Sequence, residues 1–266
     1  MEPDRPFTDI HCHLLPGIDD GAGDWQTALA MARMAVAEGV HTVIATPHQL
    51  GRHTRNHGKA IRSLVAQMQR ELDRQGILLR VLAGADVRIE AGLLDQIQRG
   101  DVLSLGDIRR HVLLELPHDL YLPLEPLLDD LHAAGMVGIL SHPERNRGIL
   151  QQPNIVRQLV DRGCLMQVTA GSLTGAFGRT VQRFSEKLID KGLVHVVASD
   201  AHDLDRRSPR LTDAFRAVAL RTGQATAVDL FCRNPAAVAA GEGVSAEARR
   251  AAVRRWPFAS WFARAS

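Results

Sequence analysis

The chain has 266 residues, of which 45% are hydrophobic, and this is enough apolar material for one large domain or two small ones. Its formal net charge of +2 is close to neutral, which argues against a nucleic-acid-binding protein. No signal-peptide pattern and no apolar run of membrane-spanning length is found, so we expect a cytoplasmic protein. The three cysteines, Cys12, Cys164 and Cys232, are widely spaced and are expected to be free, buried thiols in a reducing compartment.

Short apolar runs rich in β-branched residues recur along the chain and predict seven β-strands, at 7–10, 40–45, 77–83, 111–116, 136–140, 164–168 and 194–198. Their nearly continuous hydrophobicity is typical of parallel strands covered on both faces. Helical patterns lie between them, at about 59–74, 124–134, 154–162, 180–191 and 209–221. The clearest helix has Asp24 as its N-cap and ends at Gly39.

This alternation of strands and helices predicts an α/β fold, either an open doubly wound sheet or a closed barrel. No glycine-rich phosphate loop follows a strand, which disfavours a dinucleotide-binding or P-loop sheet. We therefore favour a barrel. We expect one barrel domain over residues 1–240 and a basic, aromatic tail over 241–266 that is not a separate domain.

Side chains that can bind metal ions follow six of the seven predicted strands. The first strand ends in His11 and His13, and this spacing points both imidazoles to the same side. The others, in chain order, are His48, Asp86, Glu115, His142, Asp200 and His202. Active sites of α/β barrels are assembled at the C-terminal ends of the strands. Imidazoles mixed with carboxylates therefore predict a site for several ions of Zn, Mn or Fe rather than Ca or Mg.

Six stretches of the chain resemble the PHP (polymerase and histidinol phosphatase) superfamily of metal-dependent phosphoesterases. They are DIHCHLLPGIDDGA at 9–22, VIATPH at 43–48, LLELP at 113–117, LSHPERN at 140–146, QVTAGSL at 167–173 and VASDAH at 197–202. They are most similar to the bacterial manganese-dependent protein-tyrosine phosphatases of capsular and exopolysaccharide operons. The resemblance implies a distorted (β/α)7 barrel with its active site at the C-terminal ends of the strands. It also implies three divalent metal ions, with Mn as the expected metal and Zn or Fe as alternatives.

The resemblance assigns each candidate ligand to an ion. It implies a first ion on His11, His13, Asp86 and Asp200, a second on Asp86, Glu115 and His142, and a third on Asp20, His48 and His202. Asp86 departs from the family, which usually has a glutamate at this position. Because aspartate is one methylene shorter, bridging two ions would require a closer backbone or one longer distance. Asp20, with its neighbour Asp19, could instead cap the helix that follows.

The resemblance implies that the protein hydrolyses phosphotyrosine in proteins. A water that bridges two ions is acidic enough to attack phosphorus at neutral pH, which makes the ligands His142 and Asp200 part of the catalytic set. Arg145 and Arg207 match the family's phosphate-contacting arginines, and a planar guanidinium can contact two oxygens at once. The alternative role for each arginine is a surface salt bridge. The group that protonates the leaving phenolate is not identified.

The resemblance also implies a partner, an autophosphorylated bacterial tyrosine kinase that controls polysaccharide export. Members of the family can form closed oligomers, so a homo-oligomer is compatible with this reading. One alternative is a phosphatase of histidinol phosphate or another small phosphomonoester on the same fold. A second alternative is a metal-stabilised regulatory module without turnover, although phosphate-contacting arginines argue against it.

Two basic segments have open roles. The stretch 49–59 contains Arg52, His53 and Arg55, and is either a mobile lid that meets an acidic phosphotyrosine segment or a solvated loop. The tail at 241–266 combines arginines with two tryptophans. Such a tail could lie on an anionic membrane surface, pack on the barrel or contact another subunit.

Overall fold

The computed structural model describes residues 3–245, and every strand pairing in this part of the chain is parallel except one isolated antiparallel bridge. The strands are β1 (Phe7–Cys12), β2 (Val40–Ala45), β3 (His48–Gln49), β4 (Arg80–Ala83), β5 (Asp86–Arg88), β6 (His111–Glu115), β7 (Val137–Ser141), β8 (Leu165–Thr169) and β9 (Val196–Ala198). The predicted α/β class with parallel sheets is therefore confirmed.

Helices lie between most of the strands and continue the chain after β9. They are α1 (Trp25–Ala37), α2 (Gly58–Arg74), α3 (Leu93–Arg99), α4 (Glu125–Ala133), α5 (Arg147–Gln151), α6 (Ile155–Asp161), α7 (Ala170–Leu173), α8 (Arg179–Asp190), α9 (Thr212–Thr222), α10 (Gln224–Val228) and α11 (Asn234–Ala240). Short 3-10 turns cover Leu105–Asp107 and Pro143–Arg145, and a π-helical segment covers Asp229–Arg233. No helix within residues 3–245 is both long and apolar enough to cross a membrane.

The strands form a three-stranded sheet, in the order β1-β2-β4, and a six-stranded sheet, in the order β3-β5-β6-β7-β8-β9. The chain passes from the first sheet to the second twice, through short gaps between β2 and β3 and between β4 and β5. At the other side, a parallel bridge joins Cys12 to Ala201, just beyond β9. There the His13 amide donates to the Ala201 carbonyl at 2.8 Å, and the Asp200 amide donates to the His11 carbonyl at 2.8 Å. These links bring the ends of β1 and β9 together.

The predicted strands all overlap observed ones, but some boundaries were wrong. The third begins at Arg80 rather than at Ile77, because pairing with β2 starts at Arg80 and the preceding Leu79 carbonyl accepts from the Gln69 side chain instead. The first continues to Cys12, so that His11 lies inside the strand. The short strands β3 and β5 and the short helices α3, α5, α7, α10 and α11 were not predicted, because so few residues carry no readable periodicity.

Alternation along the strands determines which side chains face the interior. Leu113 belongs to an inner cluster with one residue from each of several strands, among them Ile10, Ile44, Ile139 and Leu165. Side chains two residues apart share a face, so Glu115 points to the same side as Leu113 and lies at the C-terminal end of β6. On β6, the inner core and the candidate ligand Glu115 therefore belong to the same strand face.

Aromatic packing closes the outside of β1. The rings of Phe7, Phe215 and Phe231 lie 5.6–6.0 Å apart, and each is almost fully buried. Full burial of such a ring contributes about 1.5–3 kcal/mol relative to leaving it exposed. Helix α1 has the predicted ends, because Asp24 accepts from the Thr27 amide at 2.7 Å and Gly39 has a φ of +87°. The core thus holds β1, and with it the first two candidate ligands, in a rigid position.

Candidate metal centre

The nine predicted ligands converge at the C-terminal ends of the strands. They form four overlapping groups, and within each group the ligand atoms lie within 4.8 Å of one another. The groups are His13, Asp20, His48 and His202; His11, His142 and Asp200; His11, His13 and Asp86; and His48, Asp86 and Glu115. The overlap makes these groups one continuous cluster of imidazoles and carboxylates.

The histidines of β1 point to the same side, as their spacing predicts. Their Nε2 atoms are 3.2 Å apart, and both side chains are fully buried. The other ring nitrogen of each is held from outside the cluster, by Gln167 Oε1 at 2.9 Å from His11 and by Asp19 Oδ2 at 2.7 Å from His13. Such a contact orients an imidazole and leaves the remaining nitrogen for a metal ion.

Asp86 lies between two of the groups in spite of its short side chain. It is the register partner of His48 in the β3–β5 pair, and its Oδ2 is 3.4 Å from His48 Nδ1 and 3.6 Å from His11 Nε2. The side chain is fully buried, and neither oxygen receives a hydrogen bond from the described residues. Burial and the nearby Glu115 raise the pKa of Asp86 well above its usual range. A buried carboxylate without a donor fits a position that faces metal ions.

Asp20 does not cap a helix, because Asp24 does so for α1. Its Oδ1 instead lies 3.4 Å from His48 Nε2 and 3.5 Å from His202 Nε2. Hydrogen bonding to these two imidazoles lowers the pKa of Asp20 far below its usual range. Burial would lower the pKa of His48, but Asp20 and two further carboxylates of the cluster raise it to about 9. A metal ion bound among these groups would neutralise the carboxylates that the protonated His48 ring neutralises here.

Neutral imidazole is favoured elsewhere in the cluster. Burial lowers the pKa of His11 to about 3 and of His13 to about 4, and it lowers that of His142 well below its usual range. Metal ions bind the neutral form of imidazole. The cluster therefore combines neutral nitrogen donors with carboxylate oxygens, a donor set that suits Mn, Fe or Zn. These observations fit the implied metal ions.

His142 and Asp200 adopt left-handed backbone conformations, with φ values of +33° and +53°. His142 directly follows β7, and Asp200 lies two residues after the end of β9. The turn after β9 is held by Asp9, which accepts hydrogen bonds from the Ser199 amide and hydroxyl. Left-handed residues other than glycine are uncommon and gather at functional sites.

The two predicted phosphate-binding arginines lie at the cluster. Arg145 Nη2 is 2.6 Å and Arg207 Nη2 is 2.7 Å from Asp200 Oδ2. Burial opposes ionisation of Asp200, but Arg145, His11 and Arg207 hold its pKa well below the usual range. The guanidinium of Arg145 also lies over the Phe177 ring, 4.7 Å from the centroid. We call Arg145 and Arg207 the inner arginine pair.

Sequence reasoning did not assign Asp9, Asp19 and Gln167, which support the cluster without joining it. Asp9 and Gln167 lie within stretches of the resemblance, and Asp19 adjoins the predicted ligand Asp20. The contact between Gln167 and His11 spans 156 positions of sequence, so no local pattern could reveal it.

An open pocket leads to the cluster. Its lining includes five of the predicted ligands (Asp20, His48, Glu115, His142 and Asp200) and the inner arginine pair. His53 and His118 also line it, with rings 5.2 Å from that of His48 and 5.9 Å from that of His142. A substrate phosphate can therefore approach the cluster from solvent.

The segment 49–59 is pinned at its base. Asn56 Nδ2 donates to the carbonyls of Ile18 and His48, at 3.0 and 2.8 Å. Gln49 Nε2 donates to the carbonyls of Asn56 and Asp101, and Gln49 Oε1 accepts from the Leu103 amide. These buried bonds hold the segment as a wall of the pocket. The predicted contacts of the tail at 241–266 fall almost entirely on residues outside those described, since the description ends at Ser245.

The cysteines are free and buried, as predicted. Burial raises the pKa of Cys164 and of Cys232 to about 12, and that of Cys12 well above its usual range. Nucleophilic thiols require a lowered pKa, so these thiols are structural.

Comparison with known proteins gives consistent relatives. A family model described as capsular polysaccharide synthesis, CpsB/CapC, matches residues 7–240. The tyrosine-protein phosphatase YwqE of Bacillus subtilis (strain 168) is 41% identical over 78% of this chain and 82% of its own length. The putative tyrosine-protein phosphatase CapC of Staphylococcus aureus is 30% identical over 79% of this chain and 82% of its own length.

Solved structures show the same relationship. One from work on YwqE of Bacillus subtilis and CpsB of Streptococcus pneumoniae, described as unique metal-dependent tyrosine phosphatases, superposes with a TM-score of 0.86 at 35% identity. It covers 89% of this chain and 96% of that chain. A prolidase structure reaches a TM-score of 0.52 at 10% identity, over 91% of this chain and 76% of the other, and that likeness concerns the fold alone.

Proposed function

The chain belongs to the CpsB/CapC family of capsular polysaccharide synthesis, and from this premise we propose that it is a metal-dependent protein-tyrosine phosphatase. It hydrolyses phosphotyrosine in proteins. The observation that carries the proposal is the inner arginine pair, whose guanidinium groups lie within 2.7 Å of a carboxylate that belongs to the imidazole–carboxylate cluster. A group that binds phosphate thus adjoins a group that binds metal ions.

The cluster would hold three divalent ions, with Mn as the expected metal and Zn or Fe as alternatives. Bound ions would lower the pKa of a coordinated water and neutralise charge on the phosphoryl oxygens. We assign the ligands as the resemblance implies: His11, His13, Asp86 and Asp200; Asp86, Glu115 and His142; and Asp20, His48 and His202. The position of Asp86 in two of the close groups supports a bridging role.

The protein's own residues bind and orient the phosphate. Arg145 and Arg207 both contact Asp200 Oδ2, and the same guanidinium groups can turn their remaining N–H donors to phosphoryl oxygens. His142 and Asp200 keep their ligand atoms in place through strained but supported turns. Since a phenol has a pKa near 10, tyrosine is a fair leaving group and needs only modest help from a proton donor.

The fold proposal is a distorted (β/α)7 barrel over residues 1–240. Counting β2 with β3 and β4 with β5 as single positions leaves seven positions around the two sheets. The bridge from Cys12 to Ala201 supports closure between β1 and β9. The family match over residues 7–240 supports a single catalytic domain with a short tail after it.

The proposed substrate is an autophosphorylated tyrosine kinase of polysaccharide export, in the cytoplasm, as the family's role in capsule synthesis suggests. Assembly into a homo-oligomer and contact of the tail with a membrane remain predictions.

The decisive experiment compares substrates with purified, Mn-loaded protein. We expect turnover of a phosphotyrosine peptide, little turnover of histidinol phosphate, and bound metal by elemental analysis. A strong preference for histidinol phosphate would contradict the substrate class. Absence of both metal and turnover would contradict the enzyme.

His142→Ala should abolish turnover while the circular dichroism spectrum stays native.

A further inference from the structure

Two more arginines, Arg52 and Arg88, line the same pocket as the inner arginine pair, and nothing in the proposed chemistry uses them. Arg88 ends β5, two residues after Asp86, so alternation points it to the ligand side of the strand. Its register partner on β6 is the ligand Glu115. Arg52 lies in the loop after β3. We call Arg52 and Arg88 the outer arginine pair.

The outer arginine pair is open to a ligand. The Arg88 side chain is 48% exposed, and its carboxylate contact, Glu90, is at 4.0 Å, the limit for an ion pair. Arg52 is exposed, and no carboxylate pairs with it within residues 3–245. By contrast, the Arg145 side chain is only 9% exposed and is held by Asp200. The outer pair therefore offers positive charge that the protein itself hardly neutralises.

Packing holds the two arginines in one patch. The Gly51 amide donates to Glu90 Oε1 at 2.9 Å, which ties the loop of Arg52 to the end of β5. A Cβ atom on Gly51 would lie only 2.5 Å from Arg88 Cδ, so the glycine backbone packs directly on the arginine. Since side-chain hydrogen bonds of Gln49 and Asn56 also pin this loop, the patch is a fixed feature of the pocket wall.

The separation between the outer and inner arginine pairs suits an extended peptide that lies along the pocket. Strand β5, which carries Arg88, is two positions from β7, which precedes Arg145, and this corresponds to about 10 Å across the sheet. An extended peptide rises about 3.3 Å per residue, so 10 Å corresponds to roughly three residues. Guanidinium groups bind carboxylates and phosphates in a two-pronged geometry.

We propose that the outer arginine pair binds anionic side groups two or three residues from the phosphotyrosine, which makes acidic phosphotyrosine segments the preferred substrates. This inference rests on the proposed phosphatase function of the same pocket. The anion is a carboxylate or a second phosphate, because both present oxygens of the same charge to a guanidinium. Specificity for the flanking sequence thus comes from one pair of arginines and phosphate binding from the other.

The test uses phosphotyrosine peptides that differ only at the flanking positions, which carry glutamate, phosphoserine or the uncharged glutamine. With Mn-loaded enzyme we expect kcat/KM to favour an anionic peptide over the glutamine peptide by about three- to tenfold, as two exposed ion pairs would give. In the double variant Arg52→Gln, Arg88→Gln this ratio should fall below twofold. Arg55→Gln is the matched control, because Arg55 is exposed in the same loop but does not line the pocket, and it should keep the wild-type ratio.

Several outcomes decide the matter. An anion preference that disappears in the double variant supports the proposal, and the peptide with the larger ratio identifies carboxylate or phosphate as the anion. A preference that survives in the double variant overturns it, as does an equal loss of kcat/KM on all peptides. Failure of the phosphatase function looks different, since the wild-type enzyme would then turn over none of the peptides.

Discussion

Asp86 is the proposed ligand at which a single methylene matters most. Its carboxylate is fully buried, lacks hydrogen-bond donors among the described residues and lies within 3.6 Å of imidazole nitrogens of both His11 and His48. The register of β3 with β5, which sets His48 opposite Asp86, brings the backbone close enough for a short side chain to reach two groups. The close approach of the backbone thus compensates for the Asp86 side chain, which is one methylene shorter than the family's glutamate.

Asp86→Glu should therefore lower the metal content rather than restore a family feature. An extra methylene in a packed site displaces its neighbours at a cost of about 1–3 kcal/mol. We expect elemental analysis to find at least one fewer Mn ion per chain in Asp86→Glu, and fewer still in Asp86→Asn. Asp119→Glu, at a carboxylate that is 74% exposed, is the control. Wild-type metal content in Asp86→Glu would show that the site has room for the longer side chain.

His111 is a buried histidine at the start of β6, away from the cluster, and neither of its ring nitrogens has a hydrogen-bond partner in the described residues. Burial lowers its pKa from 6.5 to about 4, so folding favours the neutral ring. Above pH 6.5 both states are neutral and the stability is complete. As the pH falls from 6.5 towards 4, the unfolded chain takes up a proton first and the free energy of unfolding declines.

His111→Leu should flatten this pH dependence. Between pH 7.5 and 5 we expect the wild type to lose about 2 kcal/mol more of its free energy of unfolding than the variant. Urea denaturation of metal-free protein measures the difference without changes in metal binding. His132→Gln, at an exposed histidine of α4, should follow the wild type. Parallel pH curves for His111→Leu and wild type would contradict a neutral buried ring.

The loop between β1 and α1 is the element on which the first ligands depend. The Ala22 amide donates to the His13 carbonyl at 3.2 Å, and Asp19 holds the His13 ring. A Cβ atom at Gly21 would lie 2.3 Å from the His13 carbonyl oxygen and 2.5 Å from His13 Cβ. The loop therefore packs on the ligand so closely that only glycine fits.

Gly21→Ala should displace His13, with a loss of stability of about 1–3 kcal/mol and reduced Mn affinity. Gly23→Ala provides a matched control two residues away, because no atom lies within 4 Å of its added Cβ. Urea denaturation and Mn titration of both variants measure the two effects. The expectation fails if the two alanine variants behave alike.

At the scale of the whole molecule, the cluster gathers four carboxylates, Asp20, Asp86, Glu115 and Asp200, around one pocket. Without bound metal ions these carboxylates repel one another, and burial makes the repulsion stronger because the local dielectric is low. Ions that bind only the folded protein should therefore stabilise it by mass action. The strands of both sheets contribute ligands, so the stabilisation extends over the fold.

Removal of metal should lower the melting temperature. A concentration of Mn²⁺ one hundred times its dissociation constant contributes about 2.7 kcal/mol, which corresponds to roughly 5–10 °C for a chain of this size. Thermal denaturation after EDTA treatment, followed by Mn²⁺ titration, measures the shift. Mg²⁺ should have a smaller effect because imidazole donors suit Mn²⁺ better. Equal shifts with the two ions would argue against the histidine ligands.

The α/β fold class and most of the candidate ligands can be predicted from local sequence patterns. Apolar runs of four to seven residues predict parallel strands, and the His-x-His spacing predicts two imidazoles on one side, because both patterns depend only on local backbone geometry. Ligands after successive strands must meet, since parallel strands end at the same edge. The inner arginine pair was identified through the family resemblance, at positions three residues after His142 and five after His202.

Other features of the site depend on long-range contacts in the folded chain. Strands β3 and β5 are too short for any periodicity, yet their pairing sets Asp86 beside His48. Gln167 reaches His11 across 156 positions, and Arg52 and Arg88 come together because a glycine loop packs on β5. Such contacts depend on how the sheets curve and how loops pack, and neighbouring residues in sequence do not encode that. Hence local spacing predicts the candidate metal ligands, and only the folded chain shows which side chains support them.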